Sequence, residues 1–552
     1  MRRPIVPLVL AITTAFGLVS VQGLAKPAPA MSAQPPKLIV AISVDQYSAD
    51  LFAEYRSSYR RGLARLQQGA VFPSGYQAHA ATETCPGHST LLTGVRPARS
   101  GIIANTWFEP DGPRGSKPIY CAEDERDPAS SPKNPVVSAY HLKVPTLGEY
   151  LKAANPASRN VAVSAKDRSV VMMGGHKIDA GYWWKGAGFA TFKGGTLSPA
   201  ATRENAAITK LLAKGAKPFA LPDNCQPTNQ AIAVGKSAVG TGAFALPKGK
   251  PDLFRASPRM DSATVNLANA LVDEMALGQG AATDVLSVSL SATDYIGHAT
   301  GTEGLEMCIQ MAELDKTIGR LLNHLDQRGI DYLVVLSADH GGLDTPERAD
   351  LQAYPGAVRV DASLGPKELS NAVAARTGLI VTDATLVFGE GGDYFVNRAL
   401  SPADRTRAID ALLAVVRANP QVAAAYSSKE LAQTPLPSGN PQDWNLKDRA
   451  RASWDPVRSG DVVILLARGI TPIPEPMPGS YIATHGSPWD YDRRVPMLFW
   501  RKGIARFEQP QPVETIDIAP TLAAILGLGV TDGSFDGRCL DIDGGARNTC
   551  AN

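Results

Sequence analysis

The sequence predicts an α/β protein whose central sheet is mostly parallel and carries helices on both faces. Short apolar runs alternate along the chain with helical patterns, and such alternation is typical of parallel sheets covered by their crossover helices. Several predicted strands end in Asp or Lys, as expected for a fold class that binds ligands beyond the carboxyl ends of its strands. Two long interruptions of the pattern are predicted to be insertions.

The first half of the chain supplies two strands and two helical segments. The strands are short apolar runs rich in β-branched residues, and the second helix begins with Pro145 and stops before Asn155-Pro156. In order, the predicted elements are a strand at residues 37–44, a helical pattern up to about residue 67, a helix at 145–154 and a strand at 160–165. From about residue 169 to 258 we find no long periodic segment, and we interpret this stretch as the first insertion.

The second half returns to the same alternation and then leaves it again. Residues 303–327 show an apolar stripe at helical spacing, between predicted strands at 284–289 and 332–336. About residues 343–484 form the second predicted insertion. The remaining predicted elements are a helix at 265–275, a helix at 402–418 and strands near 384–388 and 461–466 inside this insertion, and a strand at 495–500 and a helix at 518–526 after it.

The N-terminus has the layout of a secretory signal peptide. Arg2 and Arg3 precede an apolar run, and small residues follow it as far as Ala30, so residues 1–30 are predicted to be removed by cleavage near residue 25 or 30. An uncleaved membrane anchor is the alternative. No later run in the sequence reaches the roughly 18 apolar residues that cross a bilayer. We therefore expect an exported protein, periplasmic or secreted, with no stable membrane association after cleavage.

The overall composition is that of an ordinary globular protein, with 44% hydrophobic and 20% charged residues. A net charge of +2 gives no reason to expect nucleic acid or an anionic membrane as a partner. An oxidising compartment would permit disulfides among the six cysteines. We set Cys85 and Cys308 aside, because one lies in the stretch described next and the other in a helical pattern. Whether Cys539 pairs with Cys550 stays open.

Residues 81–105 are the stretch around which the chemistry is predicted. Pro86 favours the first turn of a helix and Thr is favoured just before it, so Thr84 is predicted to be the N-cap of a helix. A hydroxyl there faces unpaired backbone N–H groups and the positive end of the helix dipole, which favours an anion such as phosphate. Taken alone, Thr84 is better explained by a plain helix cap, and Cys85 is given no role.

Carboxylates and imidazoles recur near the predicted strand ends in a pattern that favours metal binding. Asp294 and His298 are four residues apart, so one helical turn brings both side chains to one ion. Mixed carboxylate and imidazole ligands suit Zn²⁺ better than Ca²⁺ or Mg²⁺. The candidate ligands for two adjacent Zn²⁺ sites are Asp45, Thr84, Asp294, His298, Asp339, His340 and His485. The other histidines, expected to be ordinary core or surface residues, are His79, His88, His141, His176 and His324.

Seven motifs in the correct order resemble the alkaline phosphatase superfamily, and within it the branch of nucleotide pyrophosphatases/phosphodiesterases. The matching residues are Asp45 after its strand, Thr84-x-Pro86-Gly87-His88, Thr93-Gly94-x-x-Pro97, Ser100-Gly101-Ile102-x-x-Asn105, Asp294-Tyr295-x-Gly297-His298, Ser337-x-Asp339-His340-Gly341 and His485-Gly486. The match extends from about residue 37 to 526. It implies a single alkaline phosphatase-like catalytic domain over residues 31–552, with the two insertions inside it.

The resemblance also implies roles within the site. The residues that match the family's zinc ligands are Asp294, His298 and His485 for one ion and Asp45, Asp339 and His340 for the other. The second ion also touches the nucleophile, which matches Thr84. Thr82 and Thr90 lie nearby, but only Thr84 stands immediately before x-Pro and 21 residues before Asn105. Asn105 is implied to bind the substrate.

A cationic pair separates the activities of this branch. Lys166-x-Arg168 resembles the PafA-type alkaline phosphatases, which act on phosphate monoesters, whereas the phosphodiesterases of the branch lack the pair. Residues two apart in an extended segment point to the same side, so we expect both cations to face a dianionic monoester. A sulfatase is not expected, because sulfatases carry Cys-x-Pro-x-Arg where this chain has Thr84 and His88.

The resemblance therefore predicts an alkaline phosphatase with two Zn²⁺ ions that hydrolyses small phosphate monoesters through a covalent phosphothreonine at Thr84. Asn105, Lys166 and Arg168 are expected to bind the phosphoryl oxygens. A nucleotide pyrophosphatase/phosphodiesterase with the same metal ligands is the alternative, and a non-catalytic zinc-binding module is a third interpretation. We expect a monomer. The sequence does not define the natural substrate.

Overall fold

A central β-sheet organises the structure, a computed structural model that describes residues 34–380, 385–477, 479–545 and 547–550. Within these residues the sheet has ten strands. Nine lie in the order Phe507–Glu508, Ala70–Tyr76, Arg494–Arg501, Tyr332–Ser337, Leu38–Val44, Asp284–Leu290, Asn160–Ser164, Ala180–Lys185 and Gly188–Ala190, and the tenth, Val513–Glu514, also pairs with Ala70–Tyr76. The predicted signal peptide, residues 1–30, lies outside the described residues.

Parallel pairing in the middle of the sheet confirms the predicted fold class. The strands that run parallel there are Tyr332–Ser337, Leu38–Val44, Asp284–Leu290, Asn160–Ser164 and Ala180–Lys185. Arg494–Arg501 is antiparallel to both of its neighbours. Val44 lies opposite Leu290, and Ser43 lies opposite Ser337, so the parallel strands end together. The residues that follow these strands therefore meet at one edge of the sheet.

Both faces of the sheet are buried because its central strands are apolar at nearly every position. In the first strand Leu38, Val40 and Ile42 pack into one hydrophobic cluster, while Ile39 and Ala41 pack into another. Helices close each cluster: Ala49–Tyr55, Gly62–Leu66, Pro258–Glu274 and Leu305–Gln327 on one face, and Thr84–Thr93, Leu147–Ala154 and Ile518–Ile525 on the other. Each fully buried Leu or Ile side chain contributes about 1.5–3 kcal/mol to stability.

One predicted helical segment is divided in two. The pattern up to residue 67 forms two helices, because the Asp315 carboxylate accepts the backbone N–H groups of Arg60, Arg61 and Leu63 at 2.7, 2.8 and 2.8 Å and so starts a second helix. The remaining α-helices of the described residues are Pro97–Ser100, Asp167–Gly174, Pro199–Lys214, Pro251–Arg255, Ala292–Thr300, Pro346–Leu351, Pro366–Thr377, Pro402–Arg417, Ser428–Ala432, Leu446–Ser453 and Asp490–Arg493. The 3₁₀ helices are Asp223–Thr228, Ala362–Leu364, Pro441–Asp443 and Thr515–Asp517.

The first predicted insertion contains more regular structure than its sequence pattern indicates. Ala180–Lys185 extends the main sheet, and Pro199–Lys214 is a helix of 16 residues. The expectation that no long periodic segment lies there is wrong. Tyr182 and Trp184 pack into one hydrophobic cluster and Trp183 into another. Aromatic side chains therefore point alternately to the two faces of this strand. The strand was not predicted, because it lacks the β-branched residues by which the other strands were recognised.

The second predicted insertion has a sheet and a core of its own. Its four antiparallel strands are, in spatial order, Val387–Glu390, Asp393–Val396, Val462–Leu466 and Val422–Ser427. The predicted helix at 402–418 and strand at 461–466 are confirmed. Residue 384, where another strand was predicted to begin, lies outside the described residues. The boundaries of both insertions stay predictions. Two-stranded sheets elsewhere pair Thr106–Glu109 with Gly115–Tyr120, Ile232–Val234 with Ser237–Val239 and Val358–Arg359 with Ile470–Thr471.

Three disulfides join cysteines within the described residues: Cys85–Cys121, Cys225–Cys308 and Cys539–Cys550. The C-terminal pair that the sequence left open therefore forms. Setting Cys85 and Cys308 aside was wrong. A helical position does not prevent pairing, because tertiary packing can bring a second cysteine to within bonding distance of the helix surface.

Candidate active site

Four charged residues lie at the edge of the sheet where the parallel strands end. Asp45, Lys166, Asp294 and Asp339 each follow the end of a parallel strand by four residues or fewer, and all four are buried. Lys166 Nζ lies 2.6 Å from Asp45 Oδ2 and 2.6 Å from Asp294 Oδ2. Buried charges are tolerated only when they are paired, so these side chains form one interdependent cluster.

The helix Thr84–Thr93 starts beside this cluster. Its N-cap is Glu83, and Thr84 is its first residue, so the prediction of Thr84 as N-cap is wrong by one position. The Thr84 hydroxyl turns toward two cations instead of capping its own helix. Lys166 Nζ and Arg168 Nη2 each donate to Thr84 Oγ1 at 3.3 Å. The structure thus brings together the hydroxyl and both cations that the sequence singled out.

Lys166 and Arg168 approach Thr84 from the start of a helix. Lys166 is the N-cap of Asp167–Gly174, and Arg168 lies in the first turn. The expected extended segment is therefore wrong, although both side chains do point to the same place, because an N-cap and the second helical residue can also converge. Burial alone would lower the pKa of Lys166, but the carboxylates of Asp294 and Asp45 outweigh it and hold that pKa above its ordinary value.

Asn105 is held beside the start of the Thr84 helix. Its Oδ1 accepts the backbone N–H of Cys85 at 2.8 Å, and its own backbone N–H donates to Glu83 Oε2 at 2.6 Å. Because the side-chain oxygen is used in this way, the Nδ2 amide is the group left to donate to a ligand. Burial raises the pKa of Glu83 to about 7.

The predicted metal ligands lie in two adjoining groups. Asp45, Asp339 and His340 offer ligand atoms that all lie within 4.8 Å of one another, and Asp294, His340 and His485 do the same. His340 belongs to both groups, and its ring stacks on that of His485 with centroids 3.5 Å apart. The two groups are therefore neighbours that share one imidazole.

His298 joins the second group through Asp294. The Nε2 atoms of His298 and His485 lie 3.2 and 3.4 Å from Asp294 Oδ1. The three residues predicted as one ligand set thus converge on a single carboxylate oxygen. Tyr481 stacks on the His298 ring with centroids 3.9 Å apart, which fixes the plane of this imidazole.

These residues have the chemistry of a metal site. The imidazoles of the three predicted histidine ligands hydrogen-bond backbone carbonyls through Nδ1 at 2.8–2.9 Å, which leaves Nε2 as the ligand atom. Buried polar atoms without a hydrogen bond are costly unless a cation binds them. Those that make none with any described residue include Asp45 Oδ1, Asp294 Oδ1, Asp339 Oδ2 and His340 Nε2.

The titration properties of the ligands agree with this chemistry. Burial lowers the pKa of His340 and of His485, so both imidazoles are neutral, the form that binds metals. Burial and the neighbouring carboxylates of Asp294 and Asp339 raise the pKa of Asp45 well above its ordinary value. Asp45 therefore needs cations beside it to stay ionised, and the residues present fit bound divalent ions.

Comparison with known proteins identifies the family. The family model described as type I phosphodiesterase/nucleotide pyrophosphatase matches residues 39–488. The chain belongs to this family. Alkaline phosphatase PhoK of Sphingomonas sp. is 51% identical over 524 residues, 94% of each chain. Alkaline phosphatase PhoD of Zymomonas mobilis subsp. mobilis is 46% identical over 93% of this chain and 89% of the relative. The crystal structure of wild-type alkaline phosphatase PafA superposes with a TM-score of 0.79 at 25% identity, covering 93% of this chain and 100% of that chain.

The hydroxyls of the two other threonines considered as the nucleophile donate hydrogen bonds to backbone carbonyls. Thr82 Oγ1 donates to the backbone carbonyl of Ser487 at 2.8 Å. Thr90 Oγ1 donates to the backbone carbonyl of Gly87 at 2.7 Å. Of the three threonines considered, Thr84 has its hydroxyl beside both cations.

The site also contains supporting residues to which the sequence analysis gave no role. His88 Nδ1 lies 3.0 Å from Asp339 Oδ2, and its Nε2 lies 3.0 Å from Ser289 Oγ. Gly87 lets the helix lie directly against the strand end, since a Cβ there would overlap the Asp339 carbonyl. His88 is the buried, hydrogen-bonded core residue that was expected, since its Nδ1 bonds the Thr84 carbonyl at 2.9 Å, and it also lies against a candidate metal ligand. The position of His88 inside the motif that contains Thr84 is the sequence feature that could have indicated this contact.

Proposed function

We propose that this protein is an exported alkaline phosphatase that hydrolyses phosphate monoesters with Thr84 as the nucleophile. The observation that carries the proposal is the position of the cations: Lys166 Nζ and Arg168 Nη2 lie 3.3 Å from Thr84 Oγ1. The names of the relatives support it, since PhoK and PhoD are both alkaline phosphatases. Phosphate esters are the substrate class, and monoesters are the members that this geometry favours.

Two cations beside one hydroxyl match the charge of a monoester. A phosphate monoester carries close to two negative charges on three non-bridging oxygens, whereas a diester carries one charge and a second organic group. The Arg168 guanidinium can bind two oxygens at once, and the Lys166 ammonium adds a compact charge. Both cations gain more from the dianion than from the monoanion, so the site is selective for monoesters.

The residues of the chain have distinct parts in the reaction. Thr84 Oγ1 attacks phosphorus opposite the leaving oxygen, so that an Oγ1–P bond forms as the bond to the leaving oxygen breaks; the hydroxyl proton passes to solvent, and the leaving oxygen takes up a proton from solvent. Asn105 Nδ2, Lys166 and Arg168 bind the oxygens on which charge accumulates. Water then hydrolyses the phosphothreonine, which releases phosphate and restores the Thr84 hydroxyl.

Two zinc ions complete the proposed site. Asp294, His298 and His485 would hold one, and Asp45, Asp339 and His340 would hold the other. Carboxylate and imidazole ligands are those that Zn²⁺ prefers. When bound, the ions supply Lewis acidity that lowers the pKa of a bound hydroxyl and stabilises a departing oxygen.

Export and the monomeric state are part of the proposal. The signal-like N-terminus supports export, and three disulfides suit an oxidising compartment. None of the helices in the described part of the chain is long and apolar enough to cross a membrane. Gel filtration of the secreted protein tests the monomer.

A paired-substrate assay tests the function. We would measure kcat/KM for an aryl phosphate and for the matching bis-aryl phosphate, in the wild type and in Thr84→Ala. A higher value for the monoester, abolished in Thr84→Ala, is expected. Thr209→Ala is the matched control, because Thr209 is an exposed threonine in another helix.

The outcomes of this assay separate the three interpretations. A preference for the diester in the wild type would replace the proposal by a phosphodiesterase. Near-full turnover by Thr84→Ala would overturn the nucleophile. No turnover of either ester by the wild type with zinc bound would support a non-catalytic module.

A further inference from the structure

A disulfide joins the residue next to the proposed nucleophile to a separate segment of the chain. Cys85 directly follows Thr84, and it pairs with Cys121 at the end of the hairpin Thr106–Glu109/Gly115–Tyr120. Both cysteines are fully buried. The bond therefore connects the start of the nucleophile helix to a hairpin that is not part of the main sheet.

Asn105 is bound to both halves of this disulfide. The backbone N–H of Cys85 donates to Asn105 Oδ1 at 2.8 Å. The backbone N–H of Cys121 donates to the Asn105 carbonyl at 2.9 Å. One cysteine thus sets the direction of the amide side chain and the other sets the position of its backbone, so the disulfide closes a ring around the residue that faces the phosphoryl group.

The same segment reaches the Arg168 side chain. Tyr120 directly precedes Cys121, and its hydroxyl donates to Asp167 Oδ1 at 2.6 Å and accepts from Arg168 Nη1 at 3.5 Å. The hydroxyl thus lies between the first residue of the Asp167–Gly174 helix and the guanidinium. Displacing Cys121 would displace Tyr120 and loosen this side of the oxygen-binding group.

Little regular structure fixes this segment. Among the described residues, no helix or strand lies between Tyr120 and Leu147 apart from isolated bridges. It is held by a hydrophobic cluster that includes Ile119 and by the Arg114–Glu123 ion pair at 2.8 Å. Apolar packing is non-directional and fixes atomic positions less sharply than a covalent bond, so the fold can survive loss of the disulfide while the distances around Thr84 relax.

We propose that the Cys85–Cys121 disulfide is a positioning device that holds Asn105, and through Tyr120 also Arg168, at the distance from Thr84 that phosphate monoesters need. The inference rests on the proposed function. It assigns Cys85, Cys121 and Tyr120 as positioning residues, and it ties selectivity for monoesters to the formation of this bond.

The test compares Cys85→Ser/Cys121→Ser with Cys539→Ser/Cys550→Ser. The control removes another disulfide, one that closes the C-terminal loop beside Leu540, in a different hydrophobic cluster. For each variant we would measure kcat/KM for the paired aryl esters, the inhibition constant of inorganic phosphate, zinc content and thermal unfolding.

The Cys85/Cys121 variant is expected to lose about 10- to 100-fold in kcat/KM for the monoester and to bind phosphate at least tenfold more weakly, with zinc retained. The loss for the diester should be several-fold smaller, since Arg168 contributes less to it. The control variant should keep both constants within about twofold. Unchanged monoester kinetics and phosphate affinity would overturn the proposal, and equal losses for both esters would overturn the part that runs through Tyr120 to Arg168.

A second variant keeps the test decisive if the cysteine variant does not fold. Tyr120→Phe leaves the disulfide intact and removes only the hydroxyl between Asp167 and Arg168. We expect a monoester-specific loss of about tenfold and weaker phosphate binding with zinc content unchanged; no change would refute the link to Arg168. Failure of the proposed function would appear instead in the wild type, as a preference for the diester, while the phosphate affinities would still report on the positioning.

Discussion

Removing the Arg168 guanidinium should convert a selective monoesterase into a poor and unselective one. Arg168 Nη2 donates to Thr84 Oγ1 at 3.3 Å and Nη1 to Tyr120 at 3.5 Å, and Nε is buried without a hydrogen bond to any described residue. The edge of the guanidinium formed by Nε and Nη2 can therefore bind two phosphoryl oxygens. A hydrogen bond to a charged group contributes about 1.5–3 kcal/mol, so losing two such bonds, each near the lower end of this range, should cost about 3–4 kcal/mol. That energy corresponds to a fall of about 10²- to 10³-fold in kcat/KM for an aryl phosphate.

The diester serves as the internal reference. The diester has one negative charge and one non-bridging oxygen fewer than the monoester, which reduces its contact with Arg168. Arg168→Ala should therefore lower kcat/KM for the diester by less than about tenfold. Arg168→Lys, which keeps the charge but not the fork, should recover part of the monoester rate. Arg126→Ala is the matched control, since Arg126 is largely exposed and pairs with Asp124. Equal losses for both esters in Arg168→Ala, with zinc content unchanged, would refute the charge argument.

Three further changes test other parts of the site and the core. Asn105→Ala should lower kcat/KM for both esters by about 10²- to 10³-fold, by analogy with the loss of an oxyanion donor, and a loss confined to the monoester would contradict its assignment. Chelation should lower the unfolding temperature, because the buried Asp45, Asp294 and Asp339 carboxylates would then repel one another, and added Zn²⁺ should restore it; an unchanged temperature after verified metal removal would argue against a structural contribution. His79 is buried, and burial lowers its pKa to about 3, so the unfolded chain takes up the proton first and stability is lost as pH falls below about 6.5, by up to about 1.4 kcal/mol per pH unit. We would obtain the free energy of unfolding from denaturant titrations at several pH values between 6.5 and 4.5. This free energy should fall less steeply with decreasing pH in His79→Gln than in the wild type, and equal pH dependences would contradict the assignment.

The candidate metal ligands could be proposed from the sequence because their signals are local. Asp294 and His298 show helical spacing, and Asp339 and His340 are adjacent at a strand end. Such patterns survive in the sequence because neighbouring positions on one element share its geometry. That His340 adjoins both ligand groups was not predictable, because it depends on how two strand ends and a distant loop are packed.

The cationic pair shows that two side chains can converge as predicted although the predicted local geometry is wrong. Lys166 and Arg168 were predicted to converge because alternate residues of a strand share a face, but they converge from the cap and first turn of a helix. The strand ends one residue earlier than predicted, at Ser164. Element boundaries are the least certain part of a sequence pattern, since local propensity changes little across them.

The Cys85–Cys121 disulfide, in contrast, could not be predicted from the sequence. Cys85 and Cys121 are 36 residues apart, and no periodicity relates them. Their meeting requires the hairpin Thr106–Glu109/Gly115–Tyr120 to fold back onto the start of the Thr84 helix. The sequence analysis therefore treated Cys85 as a residue without a role, whereas the structure places it against Asn105.

The sequence by itself determined the fold class and the types of ligand, because apolar strands that bury both faces and polar residues at strand ends are encoded by spacing along single elements. Only the tertiary structure decided which groups lie around Thr84: the two cations 3.3 Å from its Oγ1, and the Asn105 side chain, whose Oδ1 accepts the backbone N–H of the adjacent Cys85. The physical reason is that parallel strands are joined by long crossovers, so the residues that meet at their carboxyl ends are far apart in the chain. Their contacts follow from the packing of whole elements, which no local pattern records.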